Sequence, residues 1–284
     1  MNADIMLLSN RLIYSDRLRC GSEAVARRSL VLPDPGFLRK MHLSNPSCSR
    51  PQDSCWLSQL MDERCKAVFV DTDAVPAHDS PVGDLVENQV EAQLVHQVTE
   101  CLIGSGISQD QIGVLSLYRQ QIKLLSYLLQ DRKGVEVLTA DRSQGRDKDC
   151  IIISMVRSND EGQVGDLMKD WRRMNVSFTR ARSKLIIFGS RKTLQSTPLL
   201  KEFFELMESK AWILSLPPNA HEMHSMLQCS RKRPADDITV DTMTKMSKEN
   251  LIRPLKKTKI VSADIGILKG RPILKELANA HGTE

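Results

Sequence analysis

Between Lys66 and about Pro217, short apolar runs alternate with longer amphipathic stretches. The runs 67–70, 112–115, 135–138, 150–156 and 185–188 are rich in Val, Ile, Leu and Phe, and their length and composition are those of strands buried on both faces. The segments between them are long enough for crossover helices. After 112–115, for example, Ile122, Leu125, Leu128 and Leu129 recur at helical spacing. The pattern predicts an α/β fold, a parallel sheet with helices on both faces.

The flanks break the pattern. Residues 1–64 mix short apolar pieces with Pro33, Pro35, Pro46 and Pro51, and 44–55 is rich in Ser, Pro and Cys, so little regular structure is expected there. After Leu227 the chain turns rich in Lys, Arg, Thr and Ser and loses apolar periodicity. This divides the chain into an irregular lead-in (1–64), an α/β lobe (65–227) and a basic disordered tail (228–284). Basic clusters at 230–234 and 253–259 suit nuclear import or nonspecific DNA contact, with a solvated linker as the alternative.

Composition adds limits. With 41% hydrophobic residues the 284-residue chain can bury a substantial core, and 4% aromatic content leaves that core to aliphatic side chains. A net charge of +5 is compatible with a polyanionic partner and equally with an ordinary enzyme. The seven cysteines, at 20, 48, 55, 65, 101, 150 and 229, form no Cys-x-x-Cys pair and are expected to be reduced and mostly buried. The spacings of Cys48, Cys55 and Cys65 match no zinc template, and His221 and His224 are expected on the surface, so no metal site is expected. No apolar run reaches ~18 residues, so no membrane span is expected, and residues 1–10 lack the basic start of a secretory signal.

Chemistry is sought in the loops that follow the strands, because open parallel sheets bind ligands beyond their carboxyl edge. The first is Leu117-Tyr-Arg-Gln-Gln121, where a ring, a guanidinium and amides crowd a helix start; a structural cap on the sheet edge is the alternative. The second, Thr139-Ala-Asp-Arg-Ser-Gln-Gly-Arg-Asp-Lys148, holds far more polar groups than a strand connection needs, with Gly145 permitting positive φ or close backbone approach. The third, residues 170–182, carries Arg172, Arg173, Arg180 and Arg182 on an expected helix that places Arg173 and Arg180 on one face. Arginines against a sheet call for anions, phosphate above all; a solvated basic face is the alternative.

In this order and spacing the three segments resemble motifs IV, V and VI of superfamily 1 helicases, in particular the eukaryotic DNA replication ATP-dependent helicase/nuclease family. Asp141, Gln144-Gly145-Arg146-Asp147-Lys148, Arg172-Arg173, Asn175-Val176 and Thr179-Arg180-Ala181 carry the resemblance, joined by 156–159 and 166–171, and it covers roughly 1–227. The chain departs from that pattern at Leu117, Ser143 and Ser177, where the family usually has Pro, an aromatic and Ala.

The resemblance implies a RecA-like second motor lobe of P-loop NTPase type. Arg180 would be the catalytic guanidinium at the γ-phosphate. Tyr118, Gln121, Gly145, Asp147 and Arg180 would serve ATP binding, and Thr139, Ser154 and Arg157 would face nucleic acid. The implied cofactors are ATP and Mg2+, the partners single-stranded DNA and replication and repair factors, the direction 5′→3′, and the compartment the nucleus, with the mitochondrion as a second. The chain contains no Gly-Lys dipeptide and hence no Gly-x-x-x-x-Gly-Lys-[Ser/Thr] loop; Ala67–Asp71 imitates a Walker B strand but is expected to be a core strand ending in a polar turn. The sequence is therefore expected to start at an internal methionine, without the first motor lobe, the nuclease domain and its iron–sulfur cysteines. Two functional classes follow: a lobe of an ATP-dependent DNA helicase, inactive alone, or a non-catalytic nuclear DNA- or partner-binding module derived from one.

Overall fold

The computed structural model describes residues 1–44, Cys48 and residues 55–224. The basic tail and its two clusters lie outside the described residues. In chain order the strands are β1 (Ala67–Asp71), β2 (Ser80–Val82), β3 (Leu85–Glu87), β4 (Ile112–Ser116), β5 (Glu136–Thr139), β6 (Lys148–Ser154), β7 (Ala181–Gly189) and β8 (Ile213–Ser215). Six of them form a wholly parallel sheet in the order β5-β4-β6-β7-β1-β8, while β2 and β3 pair as a separate antiparallel hairpin. The five expected strands are all present within two residues at their starts and ends, except β7, which extends four residues further toward its amino end. The hairpin and β8 are additions: runs of three residues carry too little pattern to be recognised.

Period-two alternation divides the sheet into two cores. Val68, Val70, Ile112, Val114, Cys150, Ile152, Ile186 and Phe188 point to one face, where α3 (Phe37–Ser44), α4 (Trp56–Met61), α5 (Gln89–Gly104) and α6 (Arg119–Leu128) cover them. Ala67, Phe69, Leu115, Ile151, Ile153, Leu185 and Ile187 point to the other, under α1 (Ala3–Leu12), α7 (Asp166–Lys169), α8 (Trp171–Phe178), α9 (Arg191–Leu194) and α10 (Pro198–Ser209). The helices on both faces agree with the α/β expectation. The aliphatic core does not hold throughout, because five of the six phenylalanines are buried. Phe69 meets Phe204 edge-on at 4.8 Å and Phe178 stacks on Phe203 at 5.5 Å, which fixes α8 and α10 over β1.

The lead-in departs most from expectation. Residues 1–64 carry α1, the short α2 (Glu23–Ala26), α3 and α4, and Ile5, Leu8, Leu57 and Leu60 are fully buried. Asn2 starts α1: its Oδ1 accepts from the Asp4 backbone N–H at 2.8 Å, and its Nδ2 donates to the carbonyls of Ala26 and Arg28. The backbone N–H of Asn2 donates to the carbonyl of Arg182 in β7 at 2.8 Å, which ties the start of the lead-in to the sheet. Pro33 and Pro35 fall between α2 and α3, while most of the Ser-, Pro- and Cys-rich stretch 44–55 lies outside the described residues.

The β5–β6 connection is the polar loop expected, with no crossover helix. A 3-10 turn, Ala140–Ser143, and four further residues return the chain from the carboxyl edge of the sheet to its amino edge. Ser143, where the resembled family has an aromatic, is buried, and its hydroxyl donates to the Ala140 carbonyl at 2.7 Å. The segment 198–209 is the amphipathic core helix α10, with Leu200, Phe203, Phe204 and Met207 buried. Among the described residues no helix is long and apolar enough to cross a membrane.

Candidate nucleotide and nucleic-acid site

Strand register decides which of the expected site residues meet. Ser116 is level with Thr139 and Ser154, all at the carboxyl edge, whereas Lys148 is level with Ala181 at the amino edge. Seven residues of strand separate Asp147 from Ser154, on the order of 20 Å. The expected ATP-binding set is therefore split: Gly145, Asp147 and Arg180 lie together at the amino edge, and Tyr118 and Gln121 lie at the carboxyl edge with Thr139, Ser154 and Arg157. The rule of ligands beyond the carboxyl edge directs attention to only one of these two places.

The loop after β5 clasps two arginines, Arg173 where the loop leaves the carboxyl edge and Arg180 where it reaches the amino edge. Arg173 on α8 pairs with Asp141 of the 3-10 turn at 3.3 Å and with Asp170 at 3.7 Å. Arg180 does not share the helix, since α8 ends at Phe178 and Thr179 caps it. Its Nε donates to the Val176 carbonyl at 3.0 Å, its Nη2 to Thr179 Oγ1 at 3.1 Å and its Nη1 to Asp147 Oδ1 at 2.7 Å. The helix C-terminus thus aims the guanidinium, whose side chain is 16% exposed, while Asp147 is 44% exposed. An ion pair that open to water contributes at most about 1 kcal/mol, so a phosphate can displace Asp147 at little cost. Gly145 has φ +79°, and a Cβ there would meet nothing within 4 Å, so the glycine serves its backbone angle. A guanidinium held beside a half-exposed carboxylate suits the phosphate end of ATP. The two carboxylates, Asp141 and Asp147, are both spent on arginines, which leaves Mg2+ to other groups.

At the carboxyl edge the expected ligands form an internal network instead. Gln121 and Ser154 are both 0% exposed, which removes them from direct contact with nucleotide or DNA in this structure. Gln121 Nε2 donates to the Asn88 carbonyl and to Ser154 Oγ, both at 3.0 Å, and its Oε1 accepts from the Asn88 backbone N–H at 2.8 Å. Ser154 in turn donates to Glu91 Oε1 at 2.6 Å, which also accepts from the Val156 backbone N–H at 3.0 Å. Asn88 Nδ2 donates to the carbonyls of Val156 and Ala77. Held from both sides, Val156 adopts φ +70°, a conformation that costs a β-branched residue of order 1–3 kcal/mol. The strained bend throws the following loop outward, where Arg157 pairs with Asp79 at 3.3 Å and donates to the Gln163 carbonyl. Tyr118 is occupied too: its hydroxyl donates to the Val164 carbonyl at 3.0 Å, and burial pushes its pKa up to about 12. Thr139 is half-buried at the end of β5.

Asn88, Glu91 and Asp79 are the residues that sequence reasoning missed. Asn88 as the cap of α5 and Glu91 three positions on have the spacing of a capping box, a signal present in the sequence, but Glu91 turns its carboxylate toward β6. Burial pushes its pKa up to about 7 against the lowering pull of Ser154 and the Val156 and Met155 amides, with Asp79 adding a small raising effect. The folded chain then holds this proton more tightly than the unfolded chain, so the stability it contributes is full below the ordinary glutamate pKa and is lost as pH rises toward 7. Between pH 5 and pH 8 the wild-type Tm is expected to fall by roughly 5 °C more than that of Glu91→Gln, which keeps the acceptor and removes the titration. Parallel pH profiles of the two melting curves would refute this.

Asp71, at the carboxyl end of β1, accepts from the backbone N–H groups of Asp73 and Arg191 at 3.1 and 3.3 Å, the polar turn expected of this Walker B imitation. The described cysteines are all unpaired by disulfides, and Cys48, Cys55, Cys101 and Cys150 are buried.

Comparison with known proteins places the chain in a family. A family model described as an AAA domain matches residues 1–192. The chain belongs to this AAA-domain family. Over 235 residues the AAA-domain chain is 42% identical to the DNA replication ATP-dependent helicase/nuclease DNA2 of Mus musculus, covering 81% of this chain and 22% of that protein. It is 42% identical over 223 residues to DNA2 of Saccharomyces cerevisiae, covering 78% and 14%, and 38% identical over 216 residues to the helicase/nuclease JHS1 of Arabidopsis thaliana, covering 75% and 15%. The AAA-domain chain thus spans between about one seventh and one fifth of the length of these relatives. It resembles the C-terminal helicase lobe of the DNA2-type proteins, as the sequence motifs imply.

Proposed function

We propose that this chain forms the second motor lobe of an ATP-dependent DNA helicase of the replication helicase/nuclease type, working in the nucleus on single-stranded DNA in the 5′→3′ direction. The observation that carries the reading is Arg180: a guanidinium aimed by the last turn of α8 and ion-paired to a half-exposed aspartate. Such a group suits a γ-phosphate presented by a lobe on the other side of a cleft, where it would stabilise charge developing during transfer. Gly145 and Asp147 would border the same phosphate, Asp147 releasing Arg180 as nucleotide arrives. Thr139 and Arg157, at the opposite edge, would face the DNA strand. Gln121 and Ser154 would act behind them by fixing the bend at Val156.

The chain alone is expected to hydrolyse no ATP, because its sequence has no phosphate-binding Gly-Lys loop. A chimera in which residues 1–224 replace the matching segment of the Mus musculus relative is expected to regain DNA-stimulated hydrolysis. A folded chimera that binds DNA but never turns over would favour a non-catalytic binding module.

A further inference from the structure

Four metal-ligating side chains converge on the face of the sheet opposite the arginines. His42 on α3, Cys48, Cys55 at the start of α4, and His224 beyond β8 place one ligand atom each within 4.8 Å of all the others. Cys48, Cys55 and His224 are buried, and His224, expected on the surface, is only 2% exposed. Its Nε2 lies 3.3 Å from His42 Nε2 and 3.3 Å from Cys55 Sγ. A tetrahedral zinc ion with its ordinary bond lengths separates two imidazole nitrogens by about 3.3 Å, a nitrogen and a thiolate sulfur by about 3.6 Å, and two sulfurs by about 3.8 Å. We propose that His42, Cys48, Cys55 and His224 bind a single zinc ion in a closed structural site.

The alternative is a set of neutral side chains hydrogen-bonding to each other, and it satisfies them poorly. His224 Nε2, with one hydrogen-bonding position, would have to serve both His42 and Cys55 at once. Two neutral imidazoles that face each other through Nε2 must also differ in tautomer, one donating and one accepting. One cation takes the lone pairs of all four groups together. Burial holds His224 neutral, with its pKa lowered to about 4, the form in which imidazole ligates. Burial raises the Cys55 thiol, and a bound metal reverses that by stabilising the thiolate. Two sulfurs and two nitrogens within single-ion distance select zinc over the harder oxygen-loving cations.

The site would join segments far apart in sequence. His42, Cys48 and Cys55 precede the sheet, and His224 follows its last strand, where Gln97 of α5 already grips the turn through the His221 carbonyl at 2.6 Å. Trp56 lies edge-on to the His224 ring at 5.6 Å and shields it. Cys65, the first residue of the α/β lobe, is outside the cluster.

Metal content by mass spectrometry and cobalt(II) substitution on the purified 284-residue chain test this. The expected results are stoichiometric zinc, the intense visible bands of tetrahedral thiolate-bound cobalt, and a Tm lowered by roughly 5–10 °C on chelation. Cys48→Ser is expected to lose the cobalt bands, and Cys20→Ser to keep them. Substoichiometric zinc in a chain with native circular dichroism would overturn the proposal. So would an iron chromophore, a Cys48–Cys55 disulfide in reduced preparations, or full zinc retention by folded Cys48→Ser.

Discussion

Arg180→Ala, placed in a polypeptide that also carries the phosphate-binding lobe, is expected to lower DNA-stimulated ATP turnover by ~10³-fold or more. Nucleotide affinity should change only a few-fold, because in the proposed role the guanidinium would act on charge that appears during transfer and not on the resting triphosphate. Folding should survive, since the substitution removes one ion pair that is half open to water and hydrogen bonds at a helix end. Arg180→Lys keeps the charge but loses the fork that Val176, Thr179 and Asp147 orient, so it is expected to recover little of the rate. Steady-state turnover measured beside the affinity for a labelled nucleotide separates these effects. Turnover within about tenfold of wild type would remove Arg180 from the reaction.

The second large effect is expected at a residue that touches no ligand. Asn88→Ala strips the partner from the carbonyls of Ala77 and Val156 and from the Glu91 backbone N–H, three polar groups in a dry interior. At about 1–3 kcal/mol for each stranded group, partly relieved by relaxation, a loss near ~3 kcal/mol of folding stability is expected. It should be unevenly felt: Val156 is no longer held at positive φ, and the loop that carries Arg157 relaxes. Hydrogen exchange is expected to rise first in residues 156–165, ahead of β4 and β7. Uniform loss of protection across the sheet would show Asn88 to be an ordinary core residue.

How much of this was legible in the sequence depends on range. β4, β6 and β7 were readable because β-branched and aliphatic runs buried on both faces look like nothing else of their length. The lead-in helices were obscured by Pro33 and Pro35, although Asn2, Ile5 and Leu8 give α1 a cap and a buried stripe. The motif segments named Arg180 and Asp147, but chain order carries no information about which edge of a sheet a residue reaches. Register alone separates Arg180 from Tyr118 and turns Gln121 and Ser154 inward. The histidine–cysteine cluster had no readable spacing, because its fourth member comes after the whole sheet has been built.

The hydrogen bond from the Asn2 amide to the Arg182 carbonyl has a practical consequence. The bond sets the start of α1 on β7 two residues from Arg180, so a substitution at Arg182 or Asn2 that shifts this contact is a route to moving the Arg180 backbone without touching its side chain.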